Sequence, residues 1–371
     1  MEIRFRSLAI NAAMKSLLLA LFLVLTSCTQ SPGWGESVVI LSAQLETEPV
    51  QSSGDAADDP AIWLHPHDQS KSLVVGTDKT SGIEVYGLDG RRVQRVEAGL
   101  TNNVDSRRLP NPWPEGSALL AASNRTGNRI SLFLMSPAGH LAWLSSSDIQ
   151  TDLNEIYGLC LYAEDERLFA FVNDKDGRYQ QWQLTIDRLG VENAYDDSEV
   201  RVDGELLREF AVSSQPEGCV ADDRYRRLFI GVEDEGVRWI HASPDESTEL
   251  HTLADVDGER LVDDIEGVDI VELGDRGYLI VSSQGNNTYA LFDRLPPFDY
   301  RGSFALSESE DGAVDGTSDT DGLAVSSTLS TEEFPHGLVV VQDGSNTGPL
   351  LNQNFKLISW ADIADRLGLL K

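Results

Sequence analysis

The chain has 371 residues, with 61 Asp and Glu against 29 Lys and Arg, for a formal net charge of −32. That balance excludes the basic footprint that grips nucleic acid and the polybasic patch that adheres to a membrane surface. At 41% apolar and 24% charged the composition is that of an ordinary globular chain, so the carboxylate surplus reads either as a solvated, salt-tolerant surface or as cation binding.

At the N-terminus, Arg4, Arg6 and Lys15 precede an apolar run from Leu17 to Leu25. The run is too short to span a bilayer and suits the core of a signal peptide, with Met1 or Met14 as the start. It ends in Leu25-Thr26-Ser27-Cys28, which resembles the lipobox of bacterial lipoproteins. The resemblance implies that residues 1–27 are removed and that Cys28 carries a lipid. Thr29 then favours outer-membrane sorting, with a secreted protein as the alternative. Residues 28–44 read as a tether.

From residue 45 onward the sequence repeats itself. Six apolar runs share one form: Leu73-Val74-Val75, Leu119-Leu120-Ala121, Leu168-Phe169-Ala170, Leu228-Phe229-Ile230, Leu279-Ile280-Val281 and Leu338-Val339-Val340. Each is followed by a polar turn and then an alternating strand such as Ile83-Glu84-Val85-Tyr86. Each is preceded by a strand opened by an acid or amide: Asp58, Asn103, Glu155, Glu217, Glu266 and Asp321. A period near 50 residues with several short strands per unit predicts an all-β, six-bladed propeller over residues 45–371, as one domain. Only Ser359 to Leu369 reads as helix, with Ser359 and Asp362 forming a capped start.

Cys160 and Cys219 lie in equivalent first strands, two residues after Gly158 and one after Gly218. Side chains alternate along a strand, so the two sulfurs are expected on opposite faces, as two buried thiols without a bridge.

First strands line the channel of a propeller, and second strands return antiparallel. The first-strand openings therefore share one mouth with the residues that end the second strands: Lys79, Arg125, Lys175, Glu233, Gln284 and Asp343. Crowded carboxylates must protonate or bind cations. Oxygen ligands without His or Cys favour Ca²⁺ or Mg²⁺. The six His residues show no ligand spacing, and His65-Pro66-His67-Asp68 reads as a turn. Lysine is scarce, yet Lys79 and Lys175 both end second strands, so the mouth suits a polyanion such as a phosphate ester. The Arg-His-Gly signature, the Cys-x₅-Arg loop and the phosphate-cradling Gly-x-x-x-x-Gly-Lys loop are all missing.

From about Glu46 to Leu369 the chain resembles the β-propeller phytases, alkaline calcium-dependent enzymes. The matching blocks include Asp55-Ala56-Ala57-Asp58-Asp59-Pro60-Ala61-Ile62-Trp63, Asn102-Asn103-Val104-Asp105, Ala122-Ser123-Asn124-Arg125, Asn154-Glu155-Ile156-Tyr157-Gly158, Asp264-Ile265-Glu266-Gly267 and Asn352-Gln353-Asn354-Phe355-Lys356. The resemblance implies stepwise hydrolysis of phosphomonoesters of myo-inositol hexakisphosphate, taken as calcium phytate, by direct attack of a Ca²⁺-activated water. It implies Asp58, Glu217, Glu233, Asp264, Glu266, Gln284 and Asp321 as ligands of catalytic Ca²⁺, with Asp59, Asn103 and Asp315 in metal-binding blocks. It implies Glu46, Asp343 and Asn346 as ligands of a stabilising Ca²⁺, and Lys79, Arg125, Tyr157 and Lys175 as phosphate contacts. Thr80 stands where the family pattern has a second Lys, which removes one cation beside the phosphate.

A calcium-dependent lactonase also uses a six-bladed propeller, but would have no use for three cations at the mouth. A non-enzymatic propeller would tolerate loss of Glu217 or Lys175. A monomer acting on a small molecule, without nucleic acid, is expected.

Overall fold

The computed structural model describes residues 38–188, 200–347 and 351–371. The expected signal peptide, Cys28 and most of the segment read as tether lie outside them. The fold is a six-bladed β-propeller, built almost wholly of strands, with one C-terminal helix.

Blade one is Ala57–Trp63, Leu73–Asp78, Gly82–Gly87 and Arg92–Glu97, each strand antiparallel to the next. The first strands of blades two to six are Thr101–Arg108, Ile156–Glu164, Pro216–Asp222, Ile265–Leu273 and Leu323–Ser326. All six apolar runs fall in second strands. Their alternate residues face the two neighbouring blades, which is why the core is six clusters rather than one. Each cluster fills one joint. Between blades one and two it holds Trp63, Val75, Val85, Leu120 and Phe133; between blades six and one it holds Val74, Tyr86, Val340 and Phe355.

The circle closes through the N-terminal segment. Leu45–Glu46 pairs antiparallel with Asn354–Ser359 as the outer strand of blade six. The segment read as tether is shorter than expected, because Val38–Leu41 adds a parallel fifth strand to blade five, against Tyr300–Leu306. The helix is Trp360–Leu367, and Ser359 caps it by accepting from the Ala361 N–H. Its Trp360, Ile363 and Ala364 seal the joint between blades five and six.

Cys160 and Cys219 are joined in a disulfide, against expectation, with Cα atoms 5.7 Å apart. Alternation separates the two sulfurs only within a single sheet. Adjacent blades pack face to face, so residues on opposite faces of equivalent strands point at each other. Both sulfurs sit in the apolar joint between blades three and four, among Tyr162, Phe171, Leu228 and Ile230.

One irregularity recurs and positions everything at the mouth. In blades one to five the pairing of the first strand slips by one residue at the same place, between Ala57 and Pro60, Thr101 and Val104, Ile156 and Leu159, Pro216 and Cys219, and Ile265 and Val268. Each slip is a bulge, which re-aims the extra side chain. The bulge-opening residues are Asp58, Asn102, Tyr157, Glu217 and Glu266, and Asp321 takes this place ahead of the sixth first strand. The residue after each is Asp59, Asn103 or a glycine. A Cβ on Gly158 would lie 2.0 Å from the Glu217 carbonyl oxygen, so only glycine lets these inner strands approach so closely.

Candidate functional site

The bulges bring Asp58, Asn102, Tyr157, Glu217 and Glu266 to one mouth, where Asp321 joins them. Asn102 and Tyr157, rather than Asn103 and Glu155, are the ring members of blades two and three. The Asn102 amide donates to Glu217 at 3.3 Å, across the mouth. Glu155 instead pairs with Lys175 at 3.3 Å.

On the blade-four side, Glu217, Glu233 and Glu266 place one carboxylate oxygen each within 4.8 Å of one another. Glu217 and Glu266 are buried, and Glu233 half-buried. On the opposite side, Asp58 and Asp321 flank the buried Lys79. The Lys79 ammonium lies 3.3 Å from Asp58, 2.9 Å from Asp321 and 2.8 Å from the exposed Asp55. Gln284 donates to the other oxygen of Asp321 at 2.7 Å. Asp264 is exposed beside this group, and its backbone N–H donates to the Glu233 carbonyl at 3.1 Å.

The remaining cations flank the ring. Arg125 donates to the Lys79 carbonyl at 3.3 Å. The Lys175 ammonium stands 4.3 Å from the centre of the Tyr157 ring. Asp59 and Asn103 sit one step behind the mouth and line the channel, a cavity of about 320 Å³. Asp59 accepts from the Val104 N–H of the next blade at 3.0 Å, and so ties two inner strands.

The electrostatics follow from this crowding. Burial, with Glu217 adding to it, raises the Asp58 carboxyl to about 6 despite Lys79. Burial and Asp58 raise Asp321 to about 8. Burial and then Glu217 raise Glu233 to about 7 and hold Glu266 well above its ordinary range. Burial opposes the charge on Lys79, but Asp58 and Asp321 outweigh it and hold the ammonium protonated. Burial and then Glu217 hold the Tyr157 phenol protonated.

These groups can hold a hard divalent cation. One oxygen of Asp58 and one of Glu266 are buried without a hydrogen-bond donor, and the other Asp58 oxygen faces only the Lys79 ammonium. Buried carboxylate oxygens are ordinarily satisfied, so the two without a donor are aimed at something the protein itself does not supply. An all-oxygen donor set fits calcium or magnesium.

The other expected metal group lies on blade six. Glu46, Asp315 and Asp343 converge, but around the fully buried ammonium of Lys356, which pairs with all three. Asp343 reaches it at 3.2 Å. Asp343 therefore points away from the mouth, because it is the last paired residue of its strand and the others named at the mouth follow theirs by one. Asn346 is buried, and its amide donates to the Asn352 carbonyl at 3.0 Å. Lys356 was visible in the sequence only as part of a matching block. His65 behaves as expected of a turn: its Nδ1 accepts from the Asp68 N–H at 3.1 Å.

Comparison with known proteins gives the family. The chain matches the family described as Phytase over residues 6–370. It is 38% identical over 338 residues to the 3-phytase of Bacillus subtilis (strain 168), covering 88% of this chain and 85% of that one. Among solved structures it is similar to the β-propeller domain of Myceliophteria thermophila Cps50 (Swd1). That likeness has a TM-score of 0.44 and 13% identity, over 82% of this chain and 83% of that one. BBS1N, in complex with ARL6DN, gives a TM-score of 0.45 and 12% identity over 81% and 78%. Likenesses at that level add nothing further. The match over nearly the whole chain and the 38% identical relative show that the chain belongs to the β-propeller phytase family, a family of phosphoric monoester hydrolases.

Proposed function

We propose that the protein is a calcium-dependent phytase, hydrolysing calcium phytate to phosphate and lower inositol phosphates. The observation that carries this reading is the convergence of Glu217, Glu233 and Glu266, with an unpartnered buried oxygen on Glu266, across the mouth from the buried Lys79. Glu217, Glu233, Glu266, Asp58 and Asp321 would hold the ions, with Asp264 and Gln284 at the edge. Bound calcium would neutralise phosphate oxygens and help an attacking water lose its proton.

The chain's own residues do the rest. Lys79 is held protonated and can donate to a phosphoryl oxygen as charge builds there. Arg125 stands next to it and offers a fork of donors matched to phosphate. Tyr157 keeps its proton and donates rather than accepts. Lys175, half-exposed over the Tyr157 ring, suits a second phosphate of the same substrate. At Glu46, Asp315 and Asp343, three carboxylates against one ammonium leave a surplus that a stabilising calcium can balance.

The deciding experiment is phosphate release from calcium phytate with and without a chelator, products resolved by chromatography. No release with excess calcium across pH 6–9 refutes the reading. We further propose export, with Cys28 lipidated at the bacterial envelope, and action as a monomer. The Cys160–Cys219 disulfide supports an oxidising compartment. Metabolic labelling with a radioactive fatty acid, lost in Cys28→Ser, tests the anchor; size-exclusion chromatography with light scattering tests the monomer.

A further inference from the structure

Behind the mouth lies a set of buried polar side chains that recurs from blade to blade. They occupy the next-to-last position of the second strands: Thr77, Ser123, Asn173, Ser282 and Gln342, all fully buried. In blade two, Ser123 accepts from the Asn103 N–H at 3.0 Å and donates to the Tyr157 carbonyl of blade three. In blade six, Gln342 accepts from the Asp321 N–H at 2.8 Å and donates to the Ala57 carbonyl of blade one at 3.2 Å. In blade five, Ser282 donates to the Thr320 carbonyl at 2.9 Å. Each side chain holds the backbone that aims a ring residue. In blade four the position is Gly231, which has no side chain to offer.

Asn173 does this for two ring residues at once. Its Oδ1 accepts from the Gly158 N–H at 2.8 Å, one residue from Tyr157. Its Nδ2 donates to the carbonyl of Glu217 itself at 3.3 Å and to the Tyr179 hydroxyl at 3.0 Å. The two strands are joined again one step further along by Cys160 and Cys219. One amide thus spans the joint between blades three and four at the level of Tyr157 and Glu217. Neither of its cross-strand bonds involves a side chain that would touch substrate or metal.

We propose that Asn173 is a positioning residue for the site, setting the spacing of Tyr157 and Glu217 and so the affinity of the glutamate cluster for its cation. The proposal rests on the calcium reading above. Groups that orient metal ligands typically change metal affinity about 10–100-fold when removed.

The test uses terbium(III), a luminescent stand-in for calcium that is excited through nearby tyrosine, on the whole mature protein. The signal of interest is the part lost in Tyr157→Phe. Asn173→Ala is expected to raise the terbium concentration at half-saturation about tenfold or more. Asn173→Ser, which installs the side chain that serves in blade two, is expected to restore most of it. A merely structural role would lower the melting temperature of both variants and leave half-saturation unchanged. That result, with half-saturation within about twofold of the unaltered chain, overturns the proposal. If Asn173→Ala does not fold, Asn173→Asp decides. It keeps the acceptor but, ionised, cannot donate to the Glu217 carbonyl. Weaker terbium binding supports positioning. Unchanged or tighter binding, which added negative charge alone would give, overturns it. If the unaltered chain shows no Tyr157-dependent signal at all, the metal reading itself fails, and the proposal with it.

Discussion

Lys79 of blade one and Asp321 of blade six meet at 2.9 Å, so a single buried ammonium joins the first and last blades at the mouth. The same ammonium lies 3.3 Å from Asp58, and it is the one buried cation within the ring among the described residues. Lys79→Met should therefore have two separable effects. Turnover of calcium phytate should fall about 10²–10³-fold, the usual loss when a preorganised charge at a reacting phosphoryl is removed. The melting temperature should change little near pH 6, where Asp58 and Asp321 can protonate once their partner is gone, and fall at pH 8–9. Thermal melts and steady-state rates on one preparation check both. Turnover within tenfold of the parent would remove Lys79 from the catalytic group.

The raised carboxyls make a prediction about pH and metal together. Without metal, Asp58, Glu233 and Asp321 titrate at about 6, 7 and 8, each above its ordinary value because of burial and neighbouring acids. A carboxyl with a folded pKa above its unfolded one keeps its proton longer in the folded state. The folded chain then binds more protons than the unfolded chain over that interval, and stability falls as pH rises. In chelator, the melting temperature should drop between pH 5 and pH 8. Cations bind the ionised groups, so the gain in melting temperature on adding calcium should be larger at pH 8 than at pH 5.5. A chelated protein more stable at pH 8 than at pH 6 would contradict this. A carboxyl that titrates one pH unit higher in the folded chain than in the unfolded one costs about 1.4 kcal/mol once both are ionised, so the trend is measurable even if only one of the three sites behaves this way.

The disulfide between Cys160 and Cys219 closes a separation of 59 residues and staples blades three and four. Lost loop entropy in the unfolded chain is worth about 4 kcal/mol for a loop of this size. The paired substitution Cys160→Ala with Cys219→Ala should lower the melting temperature on the order of 5–10 °C. The circular arrangement of blades would survive, because the joint keeps Phe171, Tyr162, Leu228 and Ile230. Equal melting temperatures with and without reductant in the unaltered protein would show that the bridge is absent in solution.

That bridge also shows where the sequence stops being legible. The apolar runs mark every second strand because burial on both faces forces continuous hydrophobicity. The openings mark the mouth because four blades carry an acid at the same place, Asp58, Glu217, Glu266 and Asp321. What alternation alone cannot supply is the extra residue of a bulge. It moves the ring member of blade three from Glu155 to Tyr157, and that of blade two from Asn103 to Asn102. A glycine after the opening residue in four of the six blades is the available sign. The disulfide escapes for a different reason: alternation compares faces within one sheet, while the packing of blades brings opposite faces together. Lys356 has no local signal, since its partners Glu46 and Asp315 come from distant parts of the chain.

Thr80 offers the most direct change of substrate affinity. It is exposed next to Lys79, and its N–H and hydroxyl both donate to Asp78, at 3.1 and 2.9 Å. The hydroxyl thus serves a turn and presents no charge to the mouth. Thr80→Lys places a second cation beside Lys79, the one proposed to face the reacting phosphate. It should lower KM for phytate several-fold, because a unit charge a few ångströms from a phosphate gains about 1–4 kcal/mol before solvation and entropy reduce it. Turnover should stay within about twofold, since an exposed cation binds ground state and transition state alike. The gain should shrink as salt rises from about 0.01 M to 1 M, over which the screening length falls from about 30 Å to 3 Å. A KM unchanged at low salt would mean that bound substrate does not approach Thr80. A change that persists at high salt would mean that the loss of the Asp78 turn, rather than charge, is what the substitution reports.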